Sequence, residues 1–238
     1  MDKAIETLRS WIEESENIVF FGGAGVSTES GIPDFRSVDG LYNQKWAYPP
    51  ETILSHTFFE KDPQEFYRFY HEKLVVRDAQ PNAAHRRLAE LERQGKLRAI
   101  LTQNIDGLHQ AAGSREVLEL HGSTHRCYCA VCGRKYPPEF INDCEGVPRC
   151  TCGGVVRPDV VLYEEPLDED VLTRSVRHIS QADMLIIGGT SLAVYPAAGL
   201  INYYRGHRLV LVNRGATPRD NDADLIVRGN IGEVFSQV

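Results

Sequence analysis

Four short apolar runs, separated by helical patterns, restrict this chain more than any other feature. They are Asn17–Phe21 (NIVFF), Leu97–Thr102 (LRAILT), Met184–Gly188 (MLIIG) and Leu209–Asn213 (LVLVN). Each is rich in Leu or β-branched residues and bounded by glycine or polar turn residues, as strands buried on both faces of a parallel sheet are. Between them, Asn82–Gln94 and Leu167–Ser180 carry helical spacing. Residues 2–14 set Ile5, Leu8 and Ile12 on one face of an amphipathic helix. This alternation predicts an α/β fold built on a doubly wound parallel sheet.

Two stretches break the alternation. Residues from about 41 to 80 are crowded with aromatics, among them Trp46, Phe58, Phe59, Tyr67 and Tyr70, and residues from about 122 to 157 hold every cysteine. Both read as insertions that together build a smaller lobe. The expected division is a Rossmann-like domain from residues 1–40, 81–121 and 158–238, and a small domain from 41–80 and 122–157.

The bulk numbers exclude some functions. With 26 basic and 33 acidic residues among 238, the formal net charge is −7, which opposes sequence-independent binding to nucleic acid. No apolar run approaches the roughly 18 residues of a membrane span. The polar, acidic start (MDKAIE) lacks the features of a secretory signal, so a cytoplasmic protein with reduced thiols is expected.

Six cysteines, at 127, 129, 132, 144, 150 and 152, lie within 26 residues. Cys129-x-x-Cys132 is followed, 17 residues later, by Cys150-x-Cys152, close to a zinc ribbon but with the second pair one residue short. Cys129, Cys132, Cys150 and Cys152 are the expected zinc ligands, with Cys127 and Cys144 available as substitutes. The competing reading is a set of free or redox-active thiols. Four thiolates would leave zinc no open position, so such an ion is structural and the chemistry lies elsewhere.

Chemistry gathers where strands end. After the first run comes GGAGVSTESGIPDFR, which starts like a dinucleotide loop, but Thr28 stands where the third glycine of G-x-G-x-x-G belongs. A hydride-transfer site would also need an acid closing a second strand about 20 residues on, and residues 41–60 show no such strand. After LRAILT comes Gln103-Asn104-Ile105-Asp106-Gly107-Leu108-His109. An amide pair followed by an acid suits ribose hydroxyls or a carboxamide; the same residues also read as a helix start capped by Asn104. His121 follows the short run VLEL and has the chemistry of a general base, although any single histidine is more often a satisfied core or surface residue. Gly189-Thr190-Ser191 follows MLIIG, and Asn213 closes LVLVN. Each loop alone also reads as a tight turn. Four of them at one sheet edge point to a single site.

Taken together, GAGVSTESGIPDFR (23–36), TQNIDGLH (102–109), HG (121–122), the cysteine lobe, RPDVVLYEE (157–165), GTSLAVYPAA (189–198) and LVN (211–213) resemble the sirtuins, the NAD-dependent protein lysine deacylases. The resemblance runs in family order over nearly the whole chain. It implies cleavage of NAD between nicotinamide and ribose, with transfer of the lysine acyl group to the sugar. The implied products are nicotinamide, O-acyl-ADP-ribose and free lysine. Mono-ADP-ribosyl transfer is the alternative enzyme, and a zinc-ribbon binding module without catalysis is the alternative of another class.

By the same resemblance, Gly23, Ala24, Gly25 and Thr28 line the NAD phosphates with Asp34 and Arg36 nearby, and Phe35 shields the reactive ribose. Ile105 and Asp106 hold the carboxamide; Gln103 and Asn104 contact the nicotinamide ribose. His121 is the general base. Gly189, Thr190, Ser191, Asn213, Arg214 and Ile231 hold the adenosine half. An acetylated protein lysine lies between Val161–Glu164 (Val161, Leu162, Tyr163, Glu164) and a second segment with Leu192 and Val194. Glu164, where the family commonly has glycine, is expected to favour basic flanking residues. Tyr67 and Tyr70 stand where succinyl-preferring relatives carry Tyr-x-x-Arg, so neutral acyl groups are expected. Nothing in the sequence settles the oligomeric state, and a monomer is compatible with it.

Overall fold

Strand β1, Ile18–Gly22, is buried along its whole length, and that position dictates the rest of the sheet. The computed structural model describes residues 3–35, 40 and 46–238. Helix α1 (Lys3–Glu14) leads into β1. The later sheet strands are β2 (Leu97–Thr102) and β3 (Val117–Glu119). A second, three-stranded sheet comes from β4 (Gly122–Cys129), β5 (Lys135–Tyr136) and β6 (Val156–Val160). The large sheet then resumes with β7 (Met184–Gly188), β8 (Leu209–Asn213) and β9 (Leu225–Arg228). Its order is β3-β2-β1-β7-β8-β9, with every pairing parallel.

The chain winds outward from β1 to β3, then returns to β7 and winds the other way. The order therefore reverses between β1 and β7, where ligands of such sheets bind. Gly22 lies in register with Gly188 at that point.

The period of two along each strand sorts its side chains between two cores. Ile18 and Phe20 join one cluster, while Val19 and Phe21 join the other. The first is covered by Leu8 and Ile12 of α1, by Leu88 and Leu91 of Ala83–Arg93, and by Val234 and Phe235 of the last helix. The second is covered by Ile179 of Glu169–Gln181 and by Ala197–Tyr203, a 3₁₀ segment. A Leu or Ile fully buried in this way contributes about 1.5–3 kcal/mol.

The aromatic insertion folds as α2 (Pro50–Ile53), α3 (His56–Lys61) and α4 (Pro63–Phe69), followed by a π turn, Tyr70–Leu74. The remaining helices are α5 (Ala83–Arg93), α6 (Leu108–Ala111), α7 (Glu139–Asn142), α8 (Glu169–Gln181) and α9 (Ile231–Phe235). Phe58, Phe59, Phe66, Tyr67 and Tyr70 pack with Cys127, Cys129, Cys150 and Val156 in a third cluster. The two insertions thus share one core. No helix among the described residues is long and apolar enough to cross a membrane.

Three details differ from the sequence reading. β1 begins at Ile18, because the Asn17 backbone and side chain bond Asp183 and Gln181 outside the ladder. β9 escaped notice; Leu225 and Ile226 are only half-buried at the sheet edge. Asn104 does not cap α6: that position belongs to Gly107, in the left-handed region at φ 69°.

Candidate active site

The loop after β1 is held from three directions. Gly25 donates its N–H to the carbonyl of Gly189 at 2.8 Å, and a Cβ on Gly25 would stand 2.8 Å from the Gly189 backbone. Only glycine permits that approach. Asn82 caps α5 through Oδ1 while its Nδ2 donates to the Val26 carbonyl at 2.7 Å and to Ser30 at 3.0 Å. Glu29 accepts from the N–H of Gly232, tying the loop to α9.

The loop after β2 is closed by its own side chains. Asn104 Nδ2 donates to Ser27 Oγ at 3.0 Å, and Ser27 Oγ donates to Asp106 Oδ2 at 2.6 Å. The other Asp106 oxygen accepts from the Leu108 N–H at 2.9 Å. Thr124 donates through both its N–H and its hydroxyl to the Ile105 carbonyl. Ser27 was missed in the sequence, although it stands inside the GAGVSTES stretch; nothing in that stretch says that it joins Asn104 to Asp106.

His121 stands between β3 and β4. Its Nδ1 lies 3.1 Å from the Gln103 carbonyl oxygen. A carbonyl can only accept, so Nδ1 carries the proton and Nε2 keeps its lone pair. Burial pushes the ring's pKa down, and the bond to Gln103 offsets this in part. The neutral ring is therefore the resting form. His109, by contrast, is buried against His85 and Phe20 with neither ring nitrogen bonded, and it belongs to the core.

The loop after β7 faces both. Gly189 lies at φ 60°, and a Cβ there would come 2.4 Å from the Val26 nitrogen. Thr190 Oγ1 accepts from Gln103 Nε2 at 3.4 Å and from the Leu192 N–H at 3.1 Å. Asn213 Nδ2 donates to the Thr190 carbonyl at 3.2 Å.

A cavity of about 960 Å³ joins these loops. Ala24, Gly25, Thr28, Asp34 and Phe35 line it from β1, and Gln103, Asn104, Ile105, Asp106 and His121 from β2 and β3. Gly189, Thr190, Ser191, Val194, Asn213, Arg214 and Ile231 complete that side; Val161, Leu162, Tyr163 and Glu164 line it next to the small lobe. Gly23 and Leu192 do not reach the wall. Gly23 packs behind it on Thr190, and Leu192 is buried in the second core cluster. Arg36 lies outside the described residues.

The segment after β6 is fastened to the small lobe. Tyr163 exchanges backbone bonds with Leu54 and His56, each at 3.0 Å. Glu164 adopts φ 77°, which accounts for glycine at such a position. Its carboxylate accepts from the Thr57 N–H at 2.9 Å and hydroxyl at 2.7 Å. One carboxylate oxygen is thus engaged at the start of α3, while the residue stays exposed on the cavity wall. Behind it, buried Arg157 makes a two-pronged pair with Glu165 at 2.5 and 2.9 Å, and His56 adds a bond at 2.8 Å. Arg157 and Glu165 stand in the RPDVVLYEE stretch with no role marked there, and no motif marks His56.

The sulfurs of Cys129, Cys132, Cys150 and Cys152 lie within 4.8 Å of one another. Cys129 and Cys152 are 3.5 Å apart, and Cys132 and Cys150 3.6 Å. A tetrahedron with Zn–S bonds of ~2.3 Å has edges of ~3.8 Å, so the set fits zinc. Backbone N–H groups of Cys132 and Val131 lower the Cys129 thiol pKa, favouring the thiolate. Cys127 instead faces the aromatic core, and Cys144 is outside the cluster.

The pattern that defines the Sir2 family matches residues 23–196. A Clostridium perfringens protein named NAD-dependent protein deacetylase is 59% identical over 100% of this chain and 99% of its own length. One of the same name from Clostridium acetobutylicum is 57% identical over 100% and 98%. A solved Sir2 structure with a deacetylated p53 peptide and 3'-O-acetyl ADP ribose superposes with a TM-score of 0.92 at 39% identity, covering 98% of this chain and 96% of that one. The chain belongs to the Sir2 family.

Proposed function

We propose that this protein removes acetyl and other neutral acyl groups from protein lysines, consuming NAD. The observation that carries the reading is the His121 ring, kept neutral by burial and oriented by the Gln103 carbonyl, on the cavity that also takes in the Asn104–Ser27–Asp106 chain. The cavity fits a dinucleotide: Gly25 and Gly189 leave no room for a Cβ, and amides and hydroxyls suited to ribose and carboxamide surround it.

NAD supplies the ribose carbon that takes the acyl oxygen as nicotinamide leaves. His121 Nε2 receives the proton of a ribose hydroxyl, so that the hydroxyl oxygen takes the acyl group. Phe35 covers the sugar and keeps water away until the acyl oxygen is in place. Asn104 and Gln103 orient the ribose, and Asp106 with Ile105 holds the carboxamide. The balanced reaction converts acyl-lysine, NAD and water into lysine, nicotinamide and O-acyl-ADP-ribose. Arg36 is assigned to the phosphates, and Asn213, Arg214 and Ile231 to the adenosine half. Extended backbone on both sides of the lysine would pair with Val161–Glu164 and Leu192–Val194.

In this reading residues 1–40, 81–121 and 158–238 carry the nucleotide, and 41–80 with 122–157 form the small domain. The four-thiolate zinc site has no open position and acts through folding alone. A cytoplasmic location accords with the reduced thiols of that site.

Incubation with NAD and an acetylated peptide, followed by mass spectrometry, tests the proposal. O-acetyl-ADP-ribose should form with the parent protein and fall by at least 100-fold with His121→Ala. ADP-ribosylated protein without the acetylated sugar would instead support mono-ADP-ribosyl transfer, which the names of the relatives do not favour.

A further inference from the structure

The segment from Val161 to Glu165 is shaped by side chains that the chemistry leaves unused. Glu165 closes it into a turn: its N–H donates to the Leu162 carbonyl at 3.1 Å, and its carboxylate accepts the Leu162 N–H at 2.8 Å. Arg157 holds the same carboxylate with both terminal nitrogens and donates to the Val160 carbonyl at 2.9 Å. Its guanidinium faces the rings of Phe59 on α3 and Tyr128 on β4, at 5.2 and 5.8 Å. A buried ion pair is a weak source of net stability, and its best-attested use is to fix one arrangement among several. The arrangement fixed here is that of the backbone beside the cavity.

His56 reaches this pair from the small lobe. Its backbone N–H goes to the Tyr163 carbonyl at 3.0 Å, and its Nδ1 lies 2.8 Å from Glu165 Oε1. A carboxylate accepts, so Nδ1 carries the proton. Thr57 gives the segment two further bonds, both to Glu164. Among the described residues, however, only the His56 ring joins α3 to the Arg157–Glu165 pair by a hydrogen bond. His56 itself stands outside the cavity lining, whereas Glu165 belongs to it.

Resting on the deacylase reading above and its placement of the peptide, we propose that His56 is a positioning residue for the substrate: through Glu165 it holds Val161–Glu164 in the form that receives the backbone of the acyl-lysine. A segment that must regain its shape before binding lowers the apparent affinity by the fraction out of shape. Loss of the ring therefore weakens peptide binding and leaves the chemical step alone.

The experiment measures KM and kcat for an acetylated peptide in the parent, His56→Ala, His56→Leu and His56→Asn, with peptide and NAD affinities titrated separately. The His56 side chain is 43% exposed, so its truncation opens no buried void, and the thermal midpoint verifies each fold. Leucine keeps bulk without a donor, and asparagine sets an N–H close to where Nδ1 stood. His56→Ala and His56→Leu should raise the peptide KM and Kd by about five- to tenfold, the worth of one hydrogen bond. Their kcat and NAD affinity should match the parent, and His56→Asn should recover most of the lost peptide affinity. Unchanged peptide affinity in His56→Ala and His56→Leu, an equal fall in kcat, or no recovery in His56→Asn overturns the assignment. If the parent binds the peptide yet releases no nicotinamide, the deacylase reading fails by itself; the titrations still decide the role of His56.

Discussion

The Gln103 carbonyl and the His121 ring meet at 3.1 Å across the ends of two adjacent strands. This contact sets the tautomer, while burial sets the charge. Because the folded pKa lies below the ordinary histidine value of about 6.5, the base stays neutral into mildly acidic solution. The rate of deacylation should be flat above that value and fall with a midpoint below it. A pH–rate profile with saturating peptide measures this, and a midpoint above 7 would contradict it.

His85 and His109 predict the acid stability. Burial pushes His85 down to about 4 and His109 down to about 3, while the unfolded chain takes up protons near pH 6.5. Their stabilisation is thus fully present above about pH 6.5 and is lost as pH falls toward the folded values. Each histidine costs at most about 1.4 kcal/mol per pH unit in that window. Urea unfolding at pH 7, 6 and 5 should show a steep loss, and His109→Leu should make it shallower.

Gly122 holds the chain just beyond His121 at φ 74°, where a Cβ would fall 1.9 Å from the Asp159 carbonyl oxygen. Gly122→Ala should cost upward of 3 kcal/mol, since strain alone is worth about 1–3 kcal/mol and the clash adds to it. It should also lower kcat by displacing His121. Gly133 has a similar φ, 70°, with nothing within 4 Å, so Gly133→Ala should cost only about 1 kcal/mol. Equal losses in the two variants would rule out the steric account.

Zinc content should follow the sulfur geometry. Cys150→Ser should abolish tight zinc binding, read by a chromophoric chelator, and lower the thermal midpoint. Cys144→Ser should leave both in place, as that thiol is outside the cluster. Zinc loss from the second variant alone would reassign the ligands.

Ser27 bridges Asn104 and Asp106 at 3.0 and 2.6 Å. Ser27→Ala should leave the fold intact and reduce kcat/KM by about 10- to 100-fold, the range expected when one or two charge-assisted bonds that orient a site are lost. Parent-like kinetics would remove Ser27 from the site.

Much of the frame was legible along the chain because it rests on local pattern. β2, β7 and β8 match their apolar runs end for end. The helical pattern Asn82–Gln94 forms α5, with its first and last residues as the caps. The paired cysteines, spaced for two knuckles, form the thiol cluster. β9 was not legible, since an edge strand with half-buried Leu225 and Ile226 carries a weak apolar signal.

By itself the sequence determined the strand runs, the glycines at their ends, the cysteine spacing and the set of polar residues gathered into the family's motifs. Those depend on neighbours a few positions away. Tertiary structure alone decided that Ser27 reaches across 79 positions to Asp106. It also turned the Glu164 carboxylate to Thr57. The reason is physical: a side chain's chemistry is written in its type, but whether it is neutralised, engaged or left open depends on which distant segment the packed core presses against it.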